Sequence, residues 1–162
     1  MGLTGFLKID NIDGESRAAG HADEIDVHGL HWRIQKPTSS QRHSGRSSSR
    51  AQVDSLTCNK QTDASSAYLA LACMQGKSYP SAVLTVAKDS SNAPFDYLVI
   101  TMENVEITRF EMLNDGSDPD DQVVGEEVSL TFEKVTYKYT VQADDHSGGT
   151  EHEIEYDIKA GV

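Results

Sequence analysis

One stretch constrains the fold more than any other: residues 65–80, SSAYLALACMQGKSYP. It carries the one convincing helical signal in a chain whose other segments read as strands and turns. Asp63, Ser65 and Ser66 each offer a side-chain oxygen to the free N–H groups at a helix start. Tyr68, Leu69, Ala70, Leu71, Ala72, Cys73 and Met74 then run without a polar break. At about 3.6 residues per turn they cover most of the helix circumference. The pattern predicts a helix over about 65–75, buried on more than one side. Gly76 suits the left-handed turn that ends a helix, and Tyr79-Pro80 prevents continuation. Met74 and Cys73 read as plain core residues.

The remaining apolar residues follow a period of two. Residues 3–9, 50–58, 81–87 and 95–110 read as strands. Residues 24–35 read as one strand whose apolar set changes face, since Ile25 and Val27 are odd-numbered while Leu30, Trp32 and Ile34 are even. A β-bulge at Gly29 would produce the change. Residues 128–141 switch likewise, from Val128, Leu130 and Phe132 to Val135, Tyr137, Tyr139 and Val141, which predicts a bulge near Glu133-Lys134. Ile154, Tyr156 and Ile158 alternate with Glu153, Glu155 and Asp157, which predicts a last strand with one wet face. No internal repeat or second hydrophobic unit is present. The expected fold is mainly β: one domain over 1–162, an antiparallel β-barrel or sandwich with bulged strands and one flanking α-helix.

Charge narrows the partners. Net charge is −12, which disfavours nucleic acid and acidic membrane surfaces, both polyanions. No run approaches the roughly 20 apolar residues of a membrane span, and MGLTGFLKID lacks the basic start and apolar run of a secretory signal. Cys58 and Cys73, without a CxxC, read as reduced core thiols of a protein folded in the cytosol. Against this acidic background, residues 36–50, KPTSSQRHSGRSSSR, contain no acid and no large apolar residue. The Ser/Gly content predicts an extended, flexible loop. Its bases are Lys36, Arg42, Arg46 and Arg50. Residues 111–127 are the opposite, with Glu111, Asp115, Asp118, Asp120, Asp121, Glu126 and Glu127 and no base. A chain with one basic arm and one acidic patch can join its copies head to tail.

Catalytic patterns are weak. Gly14-Glu15-Ser16-Arg17-Ala18 lacks the closing Gly of a nucleophile elbow and the strand-turn-helix context. His21, His28 and His31 have no Cys nearby, and His28 and His31 are three apart on a strand, so they face opposite ways and read as surface or hydrogen-bonding residues rather than metal ligands. Carboxylate pairs are too many to single one out. Phosphate loops and dinucleotide fingerprints are missing. The residues point to a non-enzymatic binding or assembly protein with no catalytic residue, metal or cofactor. Two other classes stay open: a monomeric ligand-binding β-barrel with the helix as a lid, and a hydrolase using Ser16 or a carboxylate pair.

Four stretches, in order, carry a resemblance to a known family: residues 3–32, with Gly14-Glu15-Ser16, His21, Glu24-Ile25 and Trp32; residues 65–88; FDYLVITMENVEIT at 95–108; and EEVSLTFEKVTYKY at 126–139. The chain resembles the Hcp (haemolysin-coregulated protein) family, the tube-forming proteins of type VI secretion systems. A contractile-phage tail tube, a close relative in architecture, is the alternative. The Ser/Arg-rich segment at 36–50 falls where that family has an extended, variable loop. The resemblance implies a β-barrel with a flanking helix, six copies closing into a ring, and rings stacking head to tail into a hollow tube inside a sheath. It implies contacts with sheath and spike proteins, small effector proteins carried in the lumen, and a cytoplasmic protein that is exported on firing without a signal peptide. It also makes the basic arm an expected ring-stacking element, reaching the acids of an adjacent copy.

Overall fold

Alternating apolar residues become eleven strands around one helix among the residues that the computed structural model describes, namely 2–37, 50–89, 94–145 and 147–162. The strands before the helix are β1 (Thr4–Ile9), β2 (Ile25–Val27), β3 (Gly29–His31), β4 (Ile34–Gln35), β5 (Gln52–Val53) and β6 (Leu56–Gln61). The helix α1 is Ser66–Gln75. After it come β7 (Ser78–Lys88), β8 (Phe95–Leu113), β9 (Gly125–Thr131), β10 (Lys134–Gln142) and β11 (Gly148–Asp157).

The β8 strand organises the sheet. On one edge it pairs with β7, from Lys88↔Phe95 to Ser78↔Glu106. On the other it pairs with β10, from Tyr139↔Leu98 to Lys134↔Glu103, and then with β9, from Thr131↔Glu106 to Gly125↔Leu113. The outer edge of β9 takes β6, and that of β10 takes β11. The full path is β2-β1-β7-β8-β9-β6-β3, all antiparallel, with β10 and β11 branching from β8. The expected antiparallel β architecture with one flanking helix is present, but the path is open rather than a closed barrel. Its two ends, β2 and β3, are consecutive in the chain, separated by His28.

That separation corrects the expected bulge at Gly29. Val27 pairs with Gly5 of β1, Gly29 pairs with Asn59 of β6, and the His28 N–H donates to the Asn59 carbonyl at 2.9 Å. The chain changes partner, and the apolar residues follow the new partner's face. At Glu133-Lys134 there is no bulge in the register either. The break between β9 and β10 keeps the same registration on β8, and the irregularity lies in β8 between Ile107 and Arg109. The buried parity switches at one level on three neighbouring strands: Tyr79 to Ala82, Met102 to Val105, Phe132 to Val135. Asn104, at that level, has φ 51° and its amide donates to the Glu133 carboxylate at 2.9 Å.

The core gathers Leu7, Ile25, Leu56, Leu84, Ile100, Met102, Ile107 and Leu130 around Leu69 and Ala72 of α1. Gly76 takes φ 64°, and the Lys77 N–H returns to the Ala72 carbonyl at 3.1 Å to close the helix. The start is held differently from a side-chain N-cap. Ser65, at the N-cap position, makes no side-chain cap bond, and the Asp63 carboxylate accepts the Ser65 N–H at 2.9 Å. The helix packs on β8 through one side only. Tyr68, Leu71 and Met74 stay 60%, 47% and 78% exposed, contrary to burial on several sides. On the last strand the apolar set divides: Tyr156 packs partly buried against the core, while Ile154 is 61% exposed. No helix among the described residues is long and apolar enough to cross a membrane.

Candidate functional site

The family-motif residues build a bracing loop, residues 10–24, between β1 and β2. Gly14 and Ser16 donate backbone N–H groups to the Asp23 and Glu24 carbonyls at 2.8 and 3.0 Å. The turn is so close that a Cβ on Gly14 would lie 2.5 Å from the Glu24 carbonyl oxygen. Ser16 is buried, and its hydroxyl accepts the Ala18 N–H at 3.3 Å, so no exposed nucleophile exists there. His21 stacks on Phe6 with centroids 4.2 Å apart. Its Nδ1 faces the Glu24 carboxylate at 2.5 Å, and its Nε2 faces Asp96 at 2.9 Å, which ties the loop to the start of β8. Glu15 accepts the Ala64 N–H at 3.1 Å, just before the helix. Ile25 is fully buried, and Trp32 donates its indole N–H to the Asp54 carbonyl at 3.0 Å. His28 and His31 are exposed. These contacts position strands; they do not bring a nucleophile to a base.

A second bracing cluster has no counterpart in the sequence reading. Lys60 of β6 is fully buried, with Nζ 2.5 Å from Glu126 of β9 and 3.0 Å from Asp63. Lys60 also donates to the Ser66 hydroxyl at 3.1 Å and the Gln61 carbonyl at 2.9 Å. Glu126 accepts from Ser66 and from the Thr62 hydroxyl at 3.0 and 3.1 Å. A buried charge without such partners is strongly destabilising, so this cluster fastens the start of α1 onto β6 and β9. A lysine on a strand carries no signal of burial, and its partner lies 66 residues away.

The expected assembly residues lie on two separate features. The arm leaves and rejoins the sheet through the β4–β5 ladder, Ile34↔Val53 and Gln35↔Gln52, with Arg33 paired to Asp54 at 2.9 Å. Arg42 and Arg46 lie outside the described residues. Lys36 is exposed, and Arg50 reaches the Lys159 carbonyl at 3.4 Å. On the acidic side, Glu111 of β8 pairs with Arg109, which also reaches Glu127 at 3.3 Å. Asp115, Asp118 and Asp121 turn back on the loop between β8 and β9, accepting the Ser117, Asp120 and Val123 N–H groups at 2.8, 3.0 and 3.2 Å. Hydrogen bonds from the Ser117 side chain and backbone hold the Asp115 carboxyl below its usual range. Asp120 is exposed on the same loop. Among the described residues no ion pair joins Lys36 or Arg50 to these acids within the chain. Beneath the helix lies packed core, with Leu69 and Ala72 buried, rather than a ligand cavity. Cys58 is a free, buried thiol on β6, and burial pushes its pKa up to about 12. Cys73 is free and half-buried on α1.

Comparison with known proteins agrees with this architecture. Residues 6–139 match the family model described as "Type VI secretion system effector, Hcp". The chain is 32% identical over 145 residues to protein hcp1 of Pseudomonas aeruginosa, covering 90% of this chain and 88% of that one. Hcp1 from Salmonella typhimurium superposes with a TM-score of 0.79 at 31% identity, covering 99% of this chain and 97% of the other. A type VI secretion system effector from Yersinia pestis superposes with a TM-score of 0.73 at 28% identity, covering 94% and 98%. With a family match across most of its length, the chain belongs to the Hcp family, structural secreted tube proteins of type VI secretion systems rather than enzymes.

Proposed function

We propose that six copies of this chain close into a ring and that rings stack head to tail into a tube. A contractile sheath drives the tube out, with spike proteins at its tip and small effector proteins in its lumen. The protein is then cytoplasmic before firing and extracellular, or inside a target cell, afterwards. The observation that carries this reading is the 32% identity to an Hcp relative across 90% of the chain. The separation of charge supports it. Lys36, Arg42, Arg46 and Arg50 fall in one stretch of the sequence, and Glu111, Asp115, Asp118, Asp120 and Asp121 in another, which suits contact between copies. Single exposed pairs contribute little; several per copy, repeated around a ring, set orientation and make stacking salt-sensitive.

Negative-stain electron microscopy with light scattering, at low and high salt, tests both parts. Six-membered rings with an open centre are expected, stacking at low salt and separating at high salt. Replacing Lys36, Arg42, Arg46 and Arg50 together by Gln is expected to leave rings and abolish the salt-sensitive stacking. Stacking that survives the fourfold change overturns the role of the arm. A monomer at every concentration overturns the ring.

A further inference from the structure

The bracing loop, residues 10–24, is tied to β8 through one ring. His21 is buried, and each of its ring nitrogens faces a carboxylate: Nδ1 lies 2.5 Å from Glu24 Oε2, and Nε2 lies 2.9 Å from Asp96 Oδ2. An ionised carboxylate only accepts hydrogen bonds, and a neutral imidazole has one N–H to give. Both contacts are therefore hydrogen bonds only when both ring nitrogens carry hydrogen and the ring is a cation. The remaining neighbours suit that state. Phe6 of β1 lies flat against the ring, 5° from parallel with centroids 4.2 Å apart, and offers the negative face of its π-system to a cation. On β7 the residue opposite Asp96 is Ala87, which does not titrate. Among the described residues, Glu24 and Asp96 have no other cationic partner: Arg17 of the same loop is exposed and makes no ion pair, and Lys88 of β7 lies over the Tyr97 ring.

We propose that His21 is a proton-operated latch: with both ring nitrogens protonated it holds the loop onto the start of β8, and loss of one proton releases the loop. A neutral ring presents a bare lone pair to one of the two carboxylates, and two lone pairs at such a distance repel. The Asp96 contact is the one that yields. The Asp96 side chain is 40% exposed and can turn to water, whereas Glu24 is 15% exposed and sits three residues along the same loop. The Asp96 contact is also the one that crosses to another element, 75 residues away in the chain, so its loss frees the loop as a unit. The loop's own backbone bonds, Ser16 to Glu24 and Asp23 to Ser16, then have no anchor on the sheet at this end. The proton belongs to the closed state, so the latch is tight on the acid side of the ring's titration and loose on the alkaline side.

Two readouts on the full chain, followed together from acidic to alkaline pH, test the latch. Nitrogen NMR of the His21 ring reports whether both nitrogens carry hydrogen. Hydrogen exchange of the Ser16 and Asp23 amides, corrected for the intrinsic pH dependence of exchange, reports opening of the loop. The two are expected to change together. As the ring loses its proton, protection of Ser16 and Asp23 is expected to fall roughly tenfold to a hundredfold, the contribution of a hydrogen bond to a charged group, while the core amides of Leu84 and Ile100 stay protected. Asp96→Asn is expected to erase the step and keep the loop closed throughout, because an amide side chain accepts from a protonated nitrogen and donates to a bare one. His21→Gln, which cannot take a charge, is expected to show no step either, with the loop equally open at every pH. A ring that carries one hydrogen while both contacts hold, a ring that loses its proton with no change in loop exchange, or a step that survives in Asp96→Asn overturns the latch.

Discussion

Strands β9 and β11 carry nearly the same message in sequence, polar residues alternating with apolar ones and acids among them, and end in opposite environments. Val128 and Leu130 of β9 are fully buried, because β8 and β6 flank the strand and the core lies beneath it. Ile154 of β11 is 61% exposed, because among the described residues β10 is its one partner strand. Even their acids differ: Glu126 is buried on Lys60, whereas Glu155 meets Lys134 in solvent. Alternation specifies that a face is to be covered; it does not specify by what. In β9 the cover is the chain itself, and on β11 Ile154 is left in solvent.

The largest expected effect follows from the acids. Glu126→Ala leaves Lys60 buried without its main counter-charge and is expected to cost about 3–5 kcal/mol of unfolding free energy. Replacing both partners, Lys60→Met with Glu126→Leu, is expected to recover most of that loss, since an apolar pair of similar volume removes the orphaned charge. Glu155→Ala is expected to leave the urea midpoint of the isolated monomer within error, as solvent-exposed pairs do. A Glu126→Ala protein as stable as wild type would mean that the cluster is not what holds α1 to β6 and β9.

The apolar positions make the second contrast. Leu130→Ala empties a fully packed site and is expected to cost about 2–5 kcal/mol. Ile154→Ala in the monomer is expected to stay within about 0.5 kcal/mol. Urea titration under monomeric conditions separates the two. If Ile154→Ala destabilises the monomer as much as Leu130→Ala does, then β11 is covered within its own chain and the contrast collapses.

The same split governs how much of the molecule was legible. Helix α1 was, because an unbroken apolar run from Ala67 to Met74 between a Ser-rich start and Gly76 leaves a helix little competition. The sides it buries were not, since the run names no partner. The face change around His28 was visible in the parity of Ile25 and Leu30, but parity cannot tell a bulge from a strand that leaves β1 for β6. Gly14, His21 and Trp32 stood out through family resemblance, and their roles, a close turn, a carboxylate-bridging ring and an indole N–H donor, emerged with the contacts. Lys60 gave no sign at all, because its meaning depends on Glu126 far along the chain.

Thiol chemistry sharpens the contrast between covered and uncovered faces at a smaller scale. Cys58 pairs across to Val128 of β9 and lies fully buried, with its thiol pushed up to about 12 by desolvation. The thiolate is the reactive form. A maleimide reagent at neutral pH is therefore expected to modify Cys73, half-buried on α1, and to reach Cys58 only in denaturant. Equal labelling of both in the folded protein would contradict the closed packing of β6 on β9.

The smallest expected effect lies on the wet face of the hairpin. The hydrogen bond from Lys134 to Glu155, followed by the nearby charges of Glu103 and Glu155, raises the Lys134 ammonium above the usual lysine value. A raised folded-state value means that the pair's contribution is fully present below the ordinary lysine pKa and is lost as pH rises through the raised one. Across the neutral range the pair is therefore constant. Titrating the Lys134 side chain by NMR in wild type and in Glu155→Gln tests this: the substitution is expected to bring the titration down toward that of an ordinary lysine, leaving the charges of Glu103 and Asp157. An unchanged midpoint would show that β11 does not hold its charges against β10 in solution. The Tyr137↔Ile154 register on the other face of the hairpin would then not be fixed either.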